Sequence, residues 1–222
     1  MIMRISIAID GPAGAGKSTI AKIVADKLNI MYINTGLMYR AVTYKALKNH
    51  ISTSQIEDLC ALIDNMNMHF DREDLIVNDE NLTKYLTSSE VNQNVSFYAS
   101  IKEIRERLVN SQRNIAKNYD IIMDGRDIGT VVLKNAAFKF FITATPEERA
   151  KRRLKEMESK GVSISFEKVL ENIISRDFED SHRAVDPLIK AEDALEIDTT
   201  DKSIEDIVNI ILAKVRHDIN ES

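Results

Sequence analysis

The segment Gly11-Pro12-Ala13-Gly14-Ala15-Gly16-Lys17-Ser18, with Thr19 directly after it, fits the spacing G-x-x-x-x-G-K-[ST]. It lies between a short apolar run, Ile5 to Ile9, and a stretch in which Ile20, Ile23, Val24 and Leu28 recur at helical spacing. The composition has a physical reason. Glycines leave successive backbone N–H groups uncovered, so they converge on phosphate oxygens at the positive end of a helix dipole. Lys17 then reaches the β- and γ-phosphates of ATP, and the Ser18 hydroxyl serves Mg²⁺. Nucleotide binding follows from this segment, but the reaction does not.

Moving a phosphoryl group to a small acceptor demands more positive charge than one cradle holds, because several phosphate oxygens must be neutralised and water kept out. Arg40 closes the run Asn34-Thr35-Gly36-Leu37-Met38-Tyr39-Arg40, and Arg126 stands in Asp124-Gly125-Arg126-Asp127, directly after the apolar Ile121-Ile122-Met123. Arg149, Arg152 and Arg153 share one helical stretch; Arg176 and Arg183 follow on the next. Ligands of parallel α/β sheets bind at strand ends and the loops after them. Plainer readings stay open: a solvated helix face for Arg149, Arg152 and Arg153 with Lys151 and Lys155, and an exposed charge for Arg40. The quartet Asp124 to Asp127 resists a plain-turn reading, since a charged run is an unusual way to leave a buried strand.

Strand-length apolar segments alternate with helical patterns along the whole chain, which predicts an α/β fold with a mainly parallel sheet. Strands are expected at Ile5 to Ile9, Ile30 to Ile33, Ile121 to Met123, Phe138 to Ile142 and Ala194 to Ile197. Helices are expected over Lys17 to Leu28, from a Thr35 cap to Lys48, from a Ser54/Glu57 capping box onward, and from Ser88 to about Asn118 with a break near Ser100. Thr145-Pro146-Glu147-Glu148 opens another that stops near Gly161, followed by Ser165 to His182 and Ser203 to Val215. Between Met66 and Leu86 short runs such as Leu75-Ile76-Val77 read as a small antiparallel insert.

The chain has 222 residues and 44% hydrophobic content, enough for one substantial core and a small appended subdomain. A net charge of -5 argues against a nucleic-acid polymer as partner, though a locally positive cleft can still gather small anions. No apolar run reaches bilayer-spanning length, and Met1-Ile2-Met3-Arg4 leads into a strand-like stretch rather than a signal peptide, so a cytoplasmic protein with no membrane partner is expected. A monomer is expected as well. Cys60 is the single cysteine, which excludes an internal disulfide and a cysteine zinc cluster; its spacing with Ile56 and Ile63 suggests a core or half-buried position. His50, His69 and His217 lack metal-ligand spacing, and His182 reads as a surface residue.

Taken together, Gly11 to Thr19, Thr35 to Arg40, Asp124-Gly125-Arg126-Asp127-Ile128-Gly129-Thr130-Val131-Val132, Glu148 to Arg153 and the block Arg176 to Leu188 resemble the bacterial cytidylate kinases, within the nucleoside monophosphate kinases. The segments run in that family's order and span nearly the whole chain. The resemblance implies a P-loop NTPase-type core with a five-stranded parallel sheet flanked by helices, forming one domain over 1–222. It also implies a monophosphate-binding region at about 35–118, holding the insert at 66–86, and a short lid at about 149–183. It implies transfer of the γ-phosphoryl group of ATP to CMP or dCMP. Arg40, Arg126 and Arg176 would then grip the acceptor phosphate, with Thr35 and Tyr39 beside them, while Asp127, Asp180 and Arg183 would contact the sugar and neighbouring groups. Ser96 and Arg105 would face the cytosine together with Asp180, and Arg153, with Arg149, would come from the lid to the transferring phosphate. Asn34 and Leu37 stand where the family often has Asp and Ala, and Asp186 where Ala is frequent.

The acceptor phosphate oxygen is a nucleophile at neutral pH, so positioning and charge neutralisation carry the expected mechanism. Rivals are a P-loop kinase for another monophosphate, shikimate or dephospho-coenzyme A, and a nucleotide-sensing module that binds ATP without transferring it.

Overall fold

Apolar residues placed two apart on short strands, and three or four apart between them, fold in a computed structural model that describes residues 4–159 and 161–220. The Met1 to Met3 lead-in lies outside the described residues. Along the chain the core elements begin with β1 (Ser6–Asp10), α1 (Lys17–Leu28), β2 (Met31–Asn34) and α2 (Thr35–Lys48). Then come α3 (Ile56–Asp64), the short strands β3 (Met68–Asp71), β4 (Asp74–Val77) and β5 (Glu80–Asn81), and the helices α4 (Ser89–Ala99) and α5 (Lys102–Ala116). The chain returns to the core with β6 (Ile121–Gly125), a π-turn over Ile128–Val132 and β7 (Phe138–Thr143), and ends with α6 (Pro146–Ser159), α7 (Phe166–His182), β8 (Leu195–Asp198) and α8 (Ile204–Asn220).

The main sheet has five parallel strands in the order β2-β6-β1-β7-β8, and β3-β4-β5 form a separate antiparallel sheet. Strand alternation divides the core. Ile7, Ile9, Ile122, Phe140 and Ile142 pack against α1 and α8 through Ile20, Val24, Ile211 and Val215, whereas Ala8, Ile33, Ile121 and Met123 face the opposite side, towards Val109 of α5 and Ile128. Burial of each large aliphatic side chain contributes about 1.5–3 kcal/mol. A second apolar core, with Met38, Leu59, Leu75, Val95 and Leu108 at its centre, binds α2 to α5 and the small sheet together. Helices α6 and α7 share a much smaller one, built on Ala150, Val169 and Ile173.

Two expected caps are absent. Helix α2 starts at Thr35 itself, with Asn34 in the cap position and no side-chain cap, because the Thr35 hydroxyl donates instead to the Asp124 carbonyl at 2.8 Å. Helix α3 starts after Gln55 rather than from a Ser54/Glu57 box: Ser54 pairs with Ser52, and Gln55 accepts from the Ser52 amide. Thr145 does cap α6, accepting from the Glu148 amide at 3.3 Å, and Cys60 is half-buried. The last helix runs beyond Val215, to Asn220.

Candidate active site

The carboxyl ends of β1, β6 and β2 lie side by side, since Asp10 is in register with Gly125 and Asp124 with Asn34. The cradle, the loop after β6 and the start of α2 all leave from that edge. After β1 the chain turns at Gly11, where φ is +145° and an added Cβ would stand 1.9 Å from the Ile142 carbonyl oxygen, so no other residue fits. Lys17 opens α1; its buried ammonium donates to the Pro12 carbonyl at 2.8 Å. Burial and the Arg126 guanidinium push Lys17 well below the usual lysine range, against the opposing pull of Asp124, Asp180 and Asp10. Lys17 and Arg126 therefore share one electrostatic environment, although one belongs to the cradle and the other to the loop after β6.

Ser18 donates to Asp124 Oδ2 at 2.8 Å, Tyr32 donates to Asp124 Oδ1 at 2.8 Å, and Asn34 Nδ2 lies 3.3 Å from the Ser18 oxygen. Burial raises the Asp124 carboxyl above its ordinary range, opposed by Lys17 and the Tyr32 hydroxyl. Position 34 thus acts through an amide donor to Ser18, where an acidic group would set a second negative charge beside Asp124. No cluster of His, Cys, Asp and Glu among the described residues forms an all-protein metal cage. One hydroxyl beside one carboxylate suits Mg²⁺, which keeps its waters and takes few protein ligands.

On the other side of Arg126 the positive charge continues. Arg126 donates through Nε to Asp180 Oδ2 at 2.7 Å; burial works against its charge, but Asp180, Asp124 and Asp10 together outweigh it and raise the pKa. Burial would raise Asp180, yet Arg126 and Arg176 hold it below the usual carboxylate range. Arg176 carries a buried Nε without a hydrogen-bond partner among the described residues, and burial plus Arg126 lower its pKa. Arg40 is anchored to the Leu86 carbonyl at 3.0 Å and Asn92 Oδ1 at 2.7 Å; burial and the repulsion of Arg176, Arg153 and Arg126 bring it down to about 10. Four guanidinium groups from α2, the β6 loop, α6 and α7 thus feel one another. Such a gathering of like charges is relieved by an anion with several oxygens.

Beyond Asp180 the arrangement changes character. Arg105, 1% exposed, donates through Nε to Asp186 at 2.7 Å, through Nη1 to the Ala99 carbonyl at 3.1 Å and through Nη2 to Asp127, and its guanidinium lies 5.3 Å from the centre of the Tyr39 ring. Burial raises the Asp127 carboxyl, against Arg105 and Arg183. Arg183 Nη2 lies 3.7 Å from Asp127, beyond hydrogen-bond reach, while its Nε donates to the Asp186 carbonyl. The Tyr39 hydroxyl is buried without a partner among the described residues. Ser96, half-buried on α4, is one turn from Asn92, the partner of Arg40.

The loop carrying Arg126 and Asp127 is fixed from below. Asp10, the last residue of β1, accepts from the amides of Ile128 and Gly129, each at 2.7 Å, where the π-turn begins. Burial pushes Asp10 up to about 6 despite these donors. On α6, Lys151 and Lys155 are exposed, and Arg153, 37% exposed and paired with Glu156, also fits the solvated-face reading. Arg149, buried, grips Asp177 of α7 at 2.9 and 2.6 Å and the Ala13 carbonyl of the cradle at 3.1 Å, and Arg152 donates to Thr199 at 3.0 and 2.7 Å. His182 is exposed and stacks on Phe178.

Sequence reasoning gave no role to Asp10, Asn92, Asp124 or Asp177. Asp124 and Asp177 lay inside segments already singled out, and Asp10 ends a buried strand, whereas Asn92 had no signal, being an ordinary polar residue on a helix.

Residues 7–217 match the family model described as cytidylate kinase. A cytidylate kinase of Clostridium perfringens (strain ATCC 13124) is 60% identical over 207 residues, covering 93% of this chain and 95% of the relative. One from Clostridium botulinum (strain Langeland) is 57% identical over 217 residues, covering 98% and 100%. Among solved structures, an uncharacterized protein from Eubacterium ventriosum superposes with a TM-score of 0.53 at 16% identity, over 96% of this chain and 99% of that one, a likeness of fold alone. With the family model spanning nearly all of the chain and relatives this similar over 95% or more of their lengths, the chain belongs to the cytidylate kinase family.

Proposed function

We propose that this chain transfers the γ-phosphoryl group of ATP to CMP or dCMP, giving ADP and CDP or dCDP. The observation that carries the reading is the run of basic side chains from Lys17 through Arg126 and Arg176 to Arg40 and Arg153 that feel one another's charge, which supports a second anion site beside the cradle. A protein that only senses ATP has no use for that second site. An oxygen of the acceptor phosphate attacks the γ-phosphorus as the bond to the β,γ-bridging oxygen breaks, and ADP leaves with that electron pair. Lys17 neutralises charge on the donor, Arg40, Arg126 and Arg176 hold the acceptor phosphate, and Arg153 reaches the moving group once both substrates are bound. Thr35, Tyr39, Asp127, Asp180 and Arg183 line the acceptor, with Ser96 and Arg105 at its base.

Ser18 and Asp124 would hold Mg²⁺, which neutralises phosphate charge when bound. Helices α2 to α5 with the small sheet form the monophosphate-binding region, and α6 and α7 the lid; their small shared core fits an element that moves. The test is a panel of CMP, dCMP, UMP, AMP, shikimate and dephospho-coenzyme A with ATP and Mg²⁺, read by product mass. CDP and dCDP are expected; ATP binding with no diphosphate product overturns the reading.

A further inference from the structure

Asp186 touches two arginines at once. Its carboxylate accepts from Arg105 Nε at 2.7 Å and its carbonyl accepts from Arg183 Nε. It does so from φ +48°, a left-handed conformation that side chains other than glycine rarely adopt and that aspartate tolerates better than most. The loop that holds it is closed by the Leu188 amide on the Asp180 carbonyl at 2.8 Å, so Asp186 is tied to the helix that carries Asp180 and Arg183. Its side chain is 25% exposed, whereas the arginine it meets is 1% exposed. This is no solvent-screened surface pair.

We propose that Asp186 is a positioning residue for the base end of the acceptor site: it fixes the plane of Arg105 and so sets how strictly cytosine is preferred over uracil. The inference rests on the reading that Arg105 faces the base. A guanidinium carries five N–H groups in one rigid plane. Arg105 commits one on each nitrogen, to Asp186, Ala99 and Asp127, which leaves one hydrogen on each terminal nitrogen in a fixed direction. Cytosine N3 and O2 accept such hydrogens; uracil N3 carries a hydrogen of its own and is turned away. With the Asp186 carboxylate gone, the Nε anchor is lost, the plane can swing about the other two contacts, and Asp127 moves with it.

The experiment measures kcat and KM for CMP, UMP and ATP in the wild type, Asp186→Ala, Asp186→Asn, Arg105→Met and the double variant. Asp186→Ala is expected to raise KM for CMP roughly ten- to 150-fold, the range for losing a hydrogen bond to a buried charge. It narrows the CMP to UMP ratio of kcat/KM and leaves KM for ATP unchanged. Asp186→Asn retains an acceptor for Nε and recovers most of the ratio, and Asp186→Ala adds nothing once Arg105 is Met. If Asp186→Ala does not fold, Asp186→Glu carries the test, because its extra methylene displaces Arg105 and narrows the ratio too. An unchanged ratio or a lowered KM for CMP in the Asp186 variants, with a narrowed ratio in Arg105→Met, overturns the role of Asp186 alone. An unchanged ratio in Arg105→Met, or a wild type indifferent between CMP and UMP, overturns the base-reading role of Arg105 and this inference with it.

Discussion

Replacing Arg126 with Met separates two contributions that one side chain makes. Arg126 meets Asp180 at 2.7 Å with both side chains mostly buried, 19% and 11% exposed. On the proposed reading the acceptor phosphate loses one charge-assisted contact, about 1.5–3 kcal/mol, so CMP binding is expected to weaken roughly ten- to 150-fold. Asp180 loses its hydrogen-bonded partner but keeps Arg176 and Arg183 nearby, so the fold loses about 1–3 kcal/mol rather than the larger value for a stranded buried charge. Lys17 loses a neighbouring like charge, and its pKa moves back up towards the usual lysine range. ATP affinity should therefore hold or rise while CMP affinity falls. Calorimetric titration of wild type and Arg126→Met with each nucleotide, beside a thermal melt, reads all of this. Wild-type affinity for CMP would refute the phosphate-gripping role, and equal losses for CMP and ATP would show general loosening instead.

Lys17→Ala should nearly abolish transfer while CMP still binds calorimetrically, since the acceptor has its own cations; normal turnover would defeat the cradle assignment. Arg153→Ala should lower kcat more than it raises either KM, because its exposed side chain acts after both substrates are in place; a loss confined to KM would favour the solvated-face reading. Asp10 titrates near 6 in the folded chain and near 3.8 unfolded, so between those values the folded state holds a proton that the unfolded state releases. Its contribution to stability falls as pH rises through that window, by up to about 3 kcal/mol. Denaturant midpoints of wild type and Asp10→Asn should diverge from pH 4 to 6, with the wild type losing ground; parallel curves would contradict the raised value.

Periodicity placed the main strands and helices because apolar spacing is a local property, and Gly11 to Ser18 was legible because strand, turn and helix are contiguous. Caps were less so: Thr35 and Ser54 are good capping residues, but each hydroxyl found a different partner, Asp124 across the sheet edge in one case and Ser52 in the other. The arginines could be named without the reason they matter, since Arg40, Arg126, Arg153 and Arg176 come together only through the packing of separate elements. Arg149, Arg152 and Arg153 looked alike in sequence, yet Arg149 is buried against Asp177 and Arg152 is anchored on Thr199, whereas Arg153 pairs with Glu156 of its own helix. Asp186 was visible as a departure, but its hold on Arg105 crosses 81 residues of chain.

The pairing of Asp10 with Gly125 works as a ruler. The cradle leaves β1 after Asp10, the acceptor loop leaves β6 after Gly125, and Asp10 reaches over to hold that loop by the amides of Ile128 and Gly129. The cradle and the loop that carries Arg126 are thus measured from one rung of one parallel ladder. Strands shift only in whole residues, about 3.3 Å each, while a misplacement near 1 Å can cost about a hundredfold in rate. On the proposed reading the spacing between the two phosphates is therefore digital: a one-residue change of register moves the loop about three times farther than the misplacement that already costs a hundredfold.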